Sequence, residues 1–203
     1  MRNTMLMGQL QATINPDTIS NKNGLCGIGP LENLKGEIMI IDGESFVSRV
    51  KGIDGMEVEN TFNAPAPFFV YANVSQWEEV SIPKFVNNLA SLEKFLTDLS
   101  TKRTTPFAFK LSGEVSEALI HIVNLPDGRK ISSREEAHEG LVKYTITMES
   151  CDLIGFFSTE HQTVFTHHDS YIHVHLINHK RTKMGHLESL IFRPGFMKLY
   201  LPK

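Results

Sequence analysis

The sequence has little cysteine: Cys26 and Cys151 are the two present in 203 residues. One disulfide is arithmetically possible, but the spacing forms no framework, and free thiols in a reducing compartment are expected. No apolar run approaches the ~18 residues that a membrane helix needs, which argues against a helical membrane protein. The segment Met1 to Gln9 lacks the long apolar stretch of a signal peptide, so the chain reads as cytoplasmic. A basic excess is also lacking. Twenty Lys and Arg stand against 23 Asp and Glu, a net charge of −3. Nucleic-acid binders usually carry a basic excess or stripe, so no nucleic-acid partner is expected. The short run Lys180-Arg181-Thr182-Lys183 reads as a solvated turn. There is no internal repeat and no low-complexity tract. The rest is ordinary globular composition, 41% hydrophobic and 21% charged. Such a length suits one domain or two small lobes with a core that needs no staples.

Residues 12–30 are rich in Asn, Gly, Pro and Ser and read as an irregular lead-in. Gly36 to Gly43 encloses an apolar run, a buried strand ending in an Asp42-Gly43 turn, and Glu44 to Val50 returns as the second arm of a hairpin. Phe68 to Ala72 is a further strand. Phe85, Leu89, Leu92, Leu96 and Leu99 recur at steps of four and three behind Pro83, which predicts a helix packed on a sheet. Short strands follow at Phe107–Leu111, Ala118–Val123, Leu141–Met148, Leu153–Ser158, Tyr171–Ile177, Leu187–Phe192 and Met197–Leu201. The expected class is α+β, a mixed but largely antiparallel sheet with one or two helices.

Histidine is the informative residue. Eight of nine follow residue 137, and six lie between 167 and 186. In Tyr171-Ile172-His173-Val174-His175-Leu176, a strand sends His173 and His175 to one face and the aliphatic residues to the other. Two imidazoles so spaced can reach one metal. His186 lies eleven residues on, past a polar turn, and a returning strand brings it beside the pair. Three neutral imidazoles leave coordination positions open, as in a catalytic zinc site. A His-x-His pair alone is weak evidence, since such pairs also occur in ordinary strands with both rings hydrogen-bonded; the third histidine strengthens the metal reading. His138, His161, His167, His168 and His179 read as exposed loop residues. A carboxylate near the triad would complete the site. Glu37 is the candidate, on the face of Met39 and Ile41. Its alternative is a strand's exposed end.

Three segments resemble the acetolactate decarboxylase family. The first is Gly27-Ile28-Gly29 with Leu34-Lys35-Gly36-Glu37 running to Asp42-Gly43. The second is Thr105-Pro106-Phe107-Ala108-Phe109-Lys110-Leu111-Ser112-Gly113. The third, and the specific one, is Tyr171-Ile172-His173-Val174-His175 with Met184-Gly185-His186. The resemblance implies one unit over residues 1–203, with a large sheet in a first lobe near 27–112 and a small barrel-like, metal-binding second lobe near 113–203. It implies zinc on His173, His175 and His186, with Glu37 in the site as ligand or proton carrier. Another divalent transition metal would also suit these donors. The implied reaction converts 2-acetolactate, or a similar 2-hydroxy-3-keto acid, to acetoin and carbon dioxide. A homodimer and a small-molecule substrate follow from the same likeness.

Two departures bear on that reaction. The family has an arginine on the strand after the Gly113 position, where this chain has His121. Histidine can carry a proton but cannot grip a carboxylate with a planar fork. His121 could instead add a fourth imidazole to the metal, or be a strand residue with a satisfied ring. The family also draws a glutamate from a tail past the last strand, whereas this chain stops at Lys203. Glu188, two residues after His186, is the expected stand-in. Glu37, His121 and Glu188 are thus the candidate catalytic groups. The alternative function is a metal-binding homologue with lost or changed decarboxylase activity.

Overall fold

A computed structural model describes residues 1–53, 55–166 and 168–203. His167, expected in an exposed loop, lies outside the described residues. Among these residues no helix is long and apolar enough to cross a membrane. Both cysteines are buried free thiols.

The first sheet has five antiparallel strands: β1 (Leu25–Pro30), β2 (Glu37–Ile41), β3 (Glu44–Lys51), β4 (Gly55–Asn60) and β5 (Val70–Asn73), in the order β4-β3-β2-β1-β5. The hairpin expected at Asp42-Gly43 forms. Both turn residues have positive φ, 49° and 86°, the backbone a tight two-residue hairpin requires. The lead-in, however, contains β1. Its glycines hide a strand because another segment passes close by: a Cβ on Gly27 would lie 2.4 Å from the Phe69 ring, and one on Gly29 2.6 Å from the Phe68 carbonyl oxygen.

The second sheet holds β6 (Trp77–Val80), β7 (Phe107–Ile122), β8 (Val142–Phe157), β9 (Ile172–Asn178) and β10 (Met184–Pro202), in the order β6-β10-β7-β8-β9. A further β9–β10 pairing, Ile177–His175 against Met184–His186, closes four of these strands into a ring. The fold is therefore α+β, largely antiparallel, with a barrel-like part. Its three longest strands were each expected as two. The boundary expected between residues 112 and 113 falls inside β7, which runs unbroken through Gly113. Gly113 has φ +154°, and a Cβ there would lie 2.0 Å from the Phe196 carbonyl oxygen. The glycine lets β7 bend against β10 without ending. Gly113→Ala should cost roughly 1–3 kcal/mol or more, through strain and the backbone clash. Urea denaturation measures it, and an unchanged midpoint contradicts this role.

Helix α1 (Arg2–Met7) and the short α3 (Arg134–Ala137) pack against one another. Helix α2 (Leu89–Ser100) covers the ring and buries Leu92 and Leu96 among Phe109, Leu111, Val174 and Leu199. Each such leucine contributes about 1.5–3 kcal/mol. The helix starts later than the apolar spacing predicts. Asn88 accepts from the Ser91 N–H at 2.9 Å, and the Asn88 N–H donates back to Ser91 Oγ at 3.2 Å. This reciprocal cap fixes the start, leaving Pro83 outside and Phe85 69% exposed.

The two sheets face each other through Cys26, Ile28, Met39, Ile41 and Phe46 on one side and Ile154, Phe156, Ile177 and Met184 on the other. The histidine cluster lies at this seam.

Candidate functional site

Alternation along β9 sends Ile172, Val174 and Leu176 into the core of the ring, beside α2. His173 and His175 take the opposite face, toward β2. On β10, His186 stands directly across from His175 on one side and from His121 on the other. Residues directly opposite on antiparallel strands share a face. Register alone thus lines up three imidazoles, with His173 two residues along β9.

The rings of His173, His175 and His186 form a near-equilateral triangle, with centroids 5.0–5.3 Å apart. One ligand nitrogen from each lies within 4.8 Å of the others, and all three side chains are buried. His173 Nδ1 is 2.8 Å from the Phe165 carbonyl oxygen. A carbonyl only accepts, so Nδ1 carries the proton and Nε2 keeps its lone pair. A donor set of neutral imidazoles held this way suits a zinc ion. His121 is outside this convergent set: it stacks on His186 with centroids 4.6 Å apart.

Glu37 reaches the cluster from the opposing sheet. It is 3% exposed, so it is not a solvated strand end. Its Oε1 accepts from the Val123 N–H at 3.2 Å. Its carboxylate oxygens lie 3.7 Å from His175 Nε2 and 3.9 Å from His121 Nε2. Burial pushes the carboxyl well above the usual carboxylate range, opposed by the Val123 N–H. Glu188 behaves oppositely. Its Oε1 is 2.9 Å from His121 Nδ1 and its Oε2 is 2.6 Å from Lys143 Nζ. The His121 hydrogen bond and then Lys143 pull its pKa down to about 2, against partial burial. An ionised Glu188 accepts, so the His121 Nδ1–H donates to it and Nε2 is left facing Glu37.

All six residues singled out in the sequence come together. Four of them, Glu37, His121, His173 and His186, help to line a cavity of about 70 Å³. A wider surface groove of about 800 Å³, beside Met7–Thr13 and Leu125–Ile131, holds none of the six. Two residues of the cavity wall were missed, Arg134 and His138. The His138 ring lies 6.2 Å from that of His121, and burial lowers its pKa. Arg134 opens α3 and His138 follows its last residue; the helix's Ser133-x-x-Glu136 cap is readable in sequence. Where that helix docks is not. His161 is less exposed than expected, half-buried with Nδ1 2.8 Å from Ser158 Oγ. His138, His168 and His179 are exposed, as expected.

Residues 1–199 match the family model described as alpha-acetolactate decarboxylase. The chain belongs to the alpha-acetolactate decarboxylase family. The family is one of carboxy-lyases acting on a small molecule. No curated protein sequence matches the chain. Among solved structures, the alpha-acetolactate decarboxylase of Bacillus subtilis strain 168 is similar, at TM-score 0.72 and 17% identity, over 95% of this chain and 77% of that one. The enzyme of Bacillus subtilis subspecies spizizenii gives 0.72 and 16%, over 95% and 79%. A Staphylococcus aureus protein of unknown function, similar to alpha-acetolactate decarboxylase, gives 0.69 and 13%, over 97% and 82%. At these identities the likeness is one of fold.

Proposed function

We propose that this chain is a metal-dependent decarboxylase of 2-acetolactate or a closely similar 2-hydroxy-3-keto acid, with zinc held by His173, His175 and His186. The observation that carries the reading is the convergence of three buried imidazoles opposite a buried carboxyl, in a chain of this family. When bound, zinc supplies Lewis-acid stabilisation of negative charge developing on substrate oxygen.

The remaining work falls to the chain's own groups. Loss of carbon dioxide breaks one carbon–carbon bond and leaves the electron pair on the substrate, which must then take up a proton. Glu37 is held toward its protonated form and is a proton source facing the cluster. His121 Nε2 is the second site able to hold a proton there. Glu188 fixes the tautomer and orientation of His121, and Lys143 holds Glu188. The apolar side chains of Met5, Leu34, Phe68 and Val123 line the cavity and exclude water.

A second reading is a metal-binding homologue without decarboxylase activity. It is favoured by the pairing of His121 with Glu188, which leaves that strand with no free cation for a substrate carboxylate. Carbon dioxide release from racemic acetolactate separates the two. Decarboxylation predicts release that a chelator abolishes and added zinc restores. Release no greater than background, chelator or not, overturns it.

A further inference from the structure

We propose that Arg134 binds the substrate carboxylate in this cavity. The assignment takes the substrate's class, a small 2-hydroxy acid, from the decarboxylase reading; the rest comes from the cavity itself.

Arg134 lines the same small cavity as Glu37, His121, His173 and His186. A carboxylate entering there meets few fixed cations. Lys143 is held on Glu188, and His121 shares that carboxylate. Ligating imidazoles are neutral, and Glu37 offers no positive charge. Met1 and His138 also line the cavity, and partial burial disfavours the charged form of each. Arg134 is therefore the permanent cation among the lining residues, and its planar fork matches a carboxylate with two parallel hydrogen bonds. Apolar side chains elsewhere on the wall lower the local dielectric and strengthen such a pairing.

Among the described residues Arg134 forms no ion pair; its Nη1 hydrogen-bonds Nδ1 of the exposed His168, a contact that the substrate carboxylate would have to displace. The adjacent carboxylates are engaged elsewhere. Glu135 accepts from its own N–H and from Ser133, and Glu136 accepts from the Ser132 N–H at 2.6 Å and from Ser132 Oγ at 3.0 Å. The backbone that presents Arg134 is pinned. Ser133 Oγ accepts from the Glu136 N–H, and the Arg134 carbonyl accepts from the His138 N–H at 3.0 Å.

The chemistry gives this role a kinetic signature. The carboxylate departs as neutral carbon dioxide, so its pairing with Arg134 is strongest before the bond breaks and fades as it breaks. Such an interaction binds and orients substrate without lowering the barrier from the bound state. Losing it raises KM without lowering kcat.

The test uses zinc-loaded native protein, R134Q and R134K, with the unreactive acid 2-hydroxy-2-methylbutanoate and its methyl ester as titration probes. Native protein should bind the acid more tightly than the ester. R134Q should bind the acid about 10–100-fold more weakly, the range for a charge-assisted pairing, with ester affinity and zinc content unchanged. R134K, a point charge without a fork, should fall between. On acetolactate, R134Q should raise KM by a similar factor without lowering kcat. Equal acid affinity in native and R134Q, or native protein binding acid no better than ester, overturns the proposal. Phenylglyoxal labelling of native protein needs no variant: the acid, not the ester, should protect Arg134, and no protection overturns the assignment. Arg134-dependent acid binding in a protein that releases no carbon dioxide would keep the assignment and remove the decarboxylase reading. Carbon dioxide release with KM unchanged in R134Q would do the reverse.

Discussion

His186→Ala is expected to leave the purified protein without bound zinc and to reduce carbon dioxide release to background. His186 is the middle of the row, paired with His175 on β9 and His121 on β7. Removing it takes away one of three ligand nitrogens and the ring on which His121 stacks. Loss of an outer-shell partner alone weakens metal binding about 10–100-fold, so loss of a ligand should exceed about 100-fold. A second readout follows from linkage. A metal that binds only the folded chain raises its melting temperature. Zinc should therefore stabilise the native protein against heat and leave the variant unmoved. His179→Ala is the matched control, since His179 is exposed and bonded to Asp152 at 3.0 Å, away from the cluster. Equal zinc content in native and His186→Ala protein would contradict the assignment of this ligand.

Glu37→Gln should separate chemistry from metal binding. Glutamine keeps the shape of glutamate and can still accept the Val123 N–H, so the fold and the zinc content are expected to persist. What it loses is the exchangeable carboxyl proton, at a site where burial favours the protonated form. General acid–base groups contribute about 100- to 10,000-fold, and kcat should drop within that range. The measurement is steady-state carbon dioxide release at matched zinc occupancy. A variant as active as the native protein would move the proton source to His121 or to water.

The histidine cluster was legible because β-strand alternation is a local rule. His173 and His175 share a face whatever the rest of the fold does, and a returning strand is the shortest way back to His186. Glu37 was legible in part, from a carboxylate placed among aliphatic residues; its partners Val123, His121 and His175 are far away in sequence. Arg134 and His138 were not legible, because only the docking of α3 brings them to the cavity. The fold shows the same division. The Asp42-Gly43 hairpin was read from its turn chemistry. Strand β1 was not, because Gly27 and Gly29 read as loop residues until Phe68 and Phe69 are seen lying over them. The long strands were read in pieces at Gly113 and in the polar stretches, since sequence alone does not distinguish a bend from a break.

Zinc K-edge X-ray absorption of the purified, zinc-loaded protein is the most direct test of the three-histidine centre. Zinc on His173, His175 and His186, as proposed, predicts a first shell of nitrogen and oxygen at about 2.0–2.1 Å, with outer-shell scattering from three imidazoles and no sulfur. One imidazole signature should disappear in His175→Ala. A sulfur shell near 2.3 Å, or a spectrum without imidazole scattering, would place the metal elsewhere and contradict the centre described above.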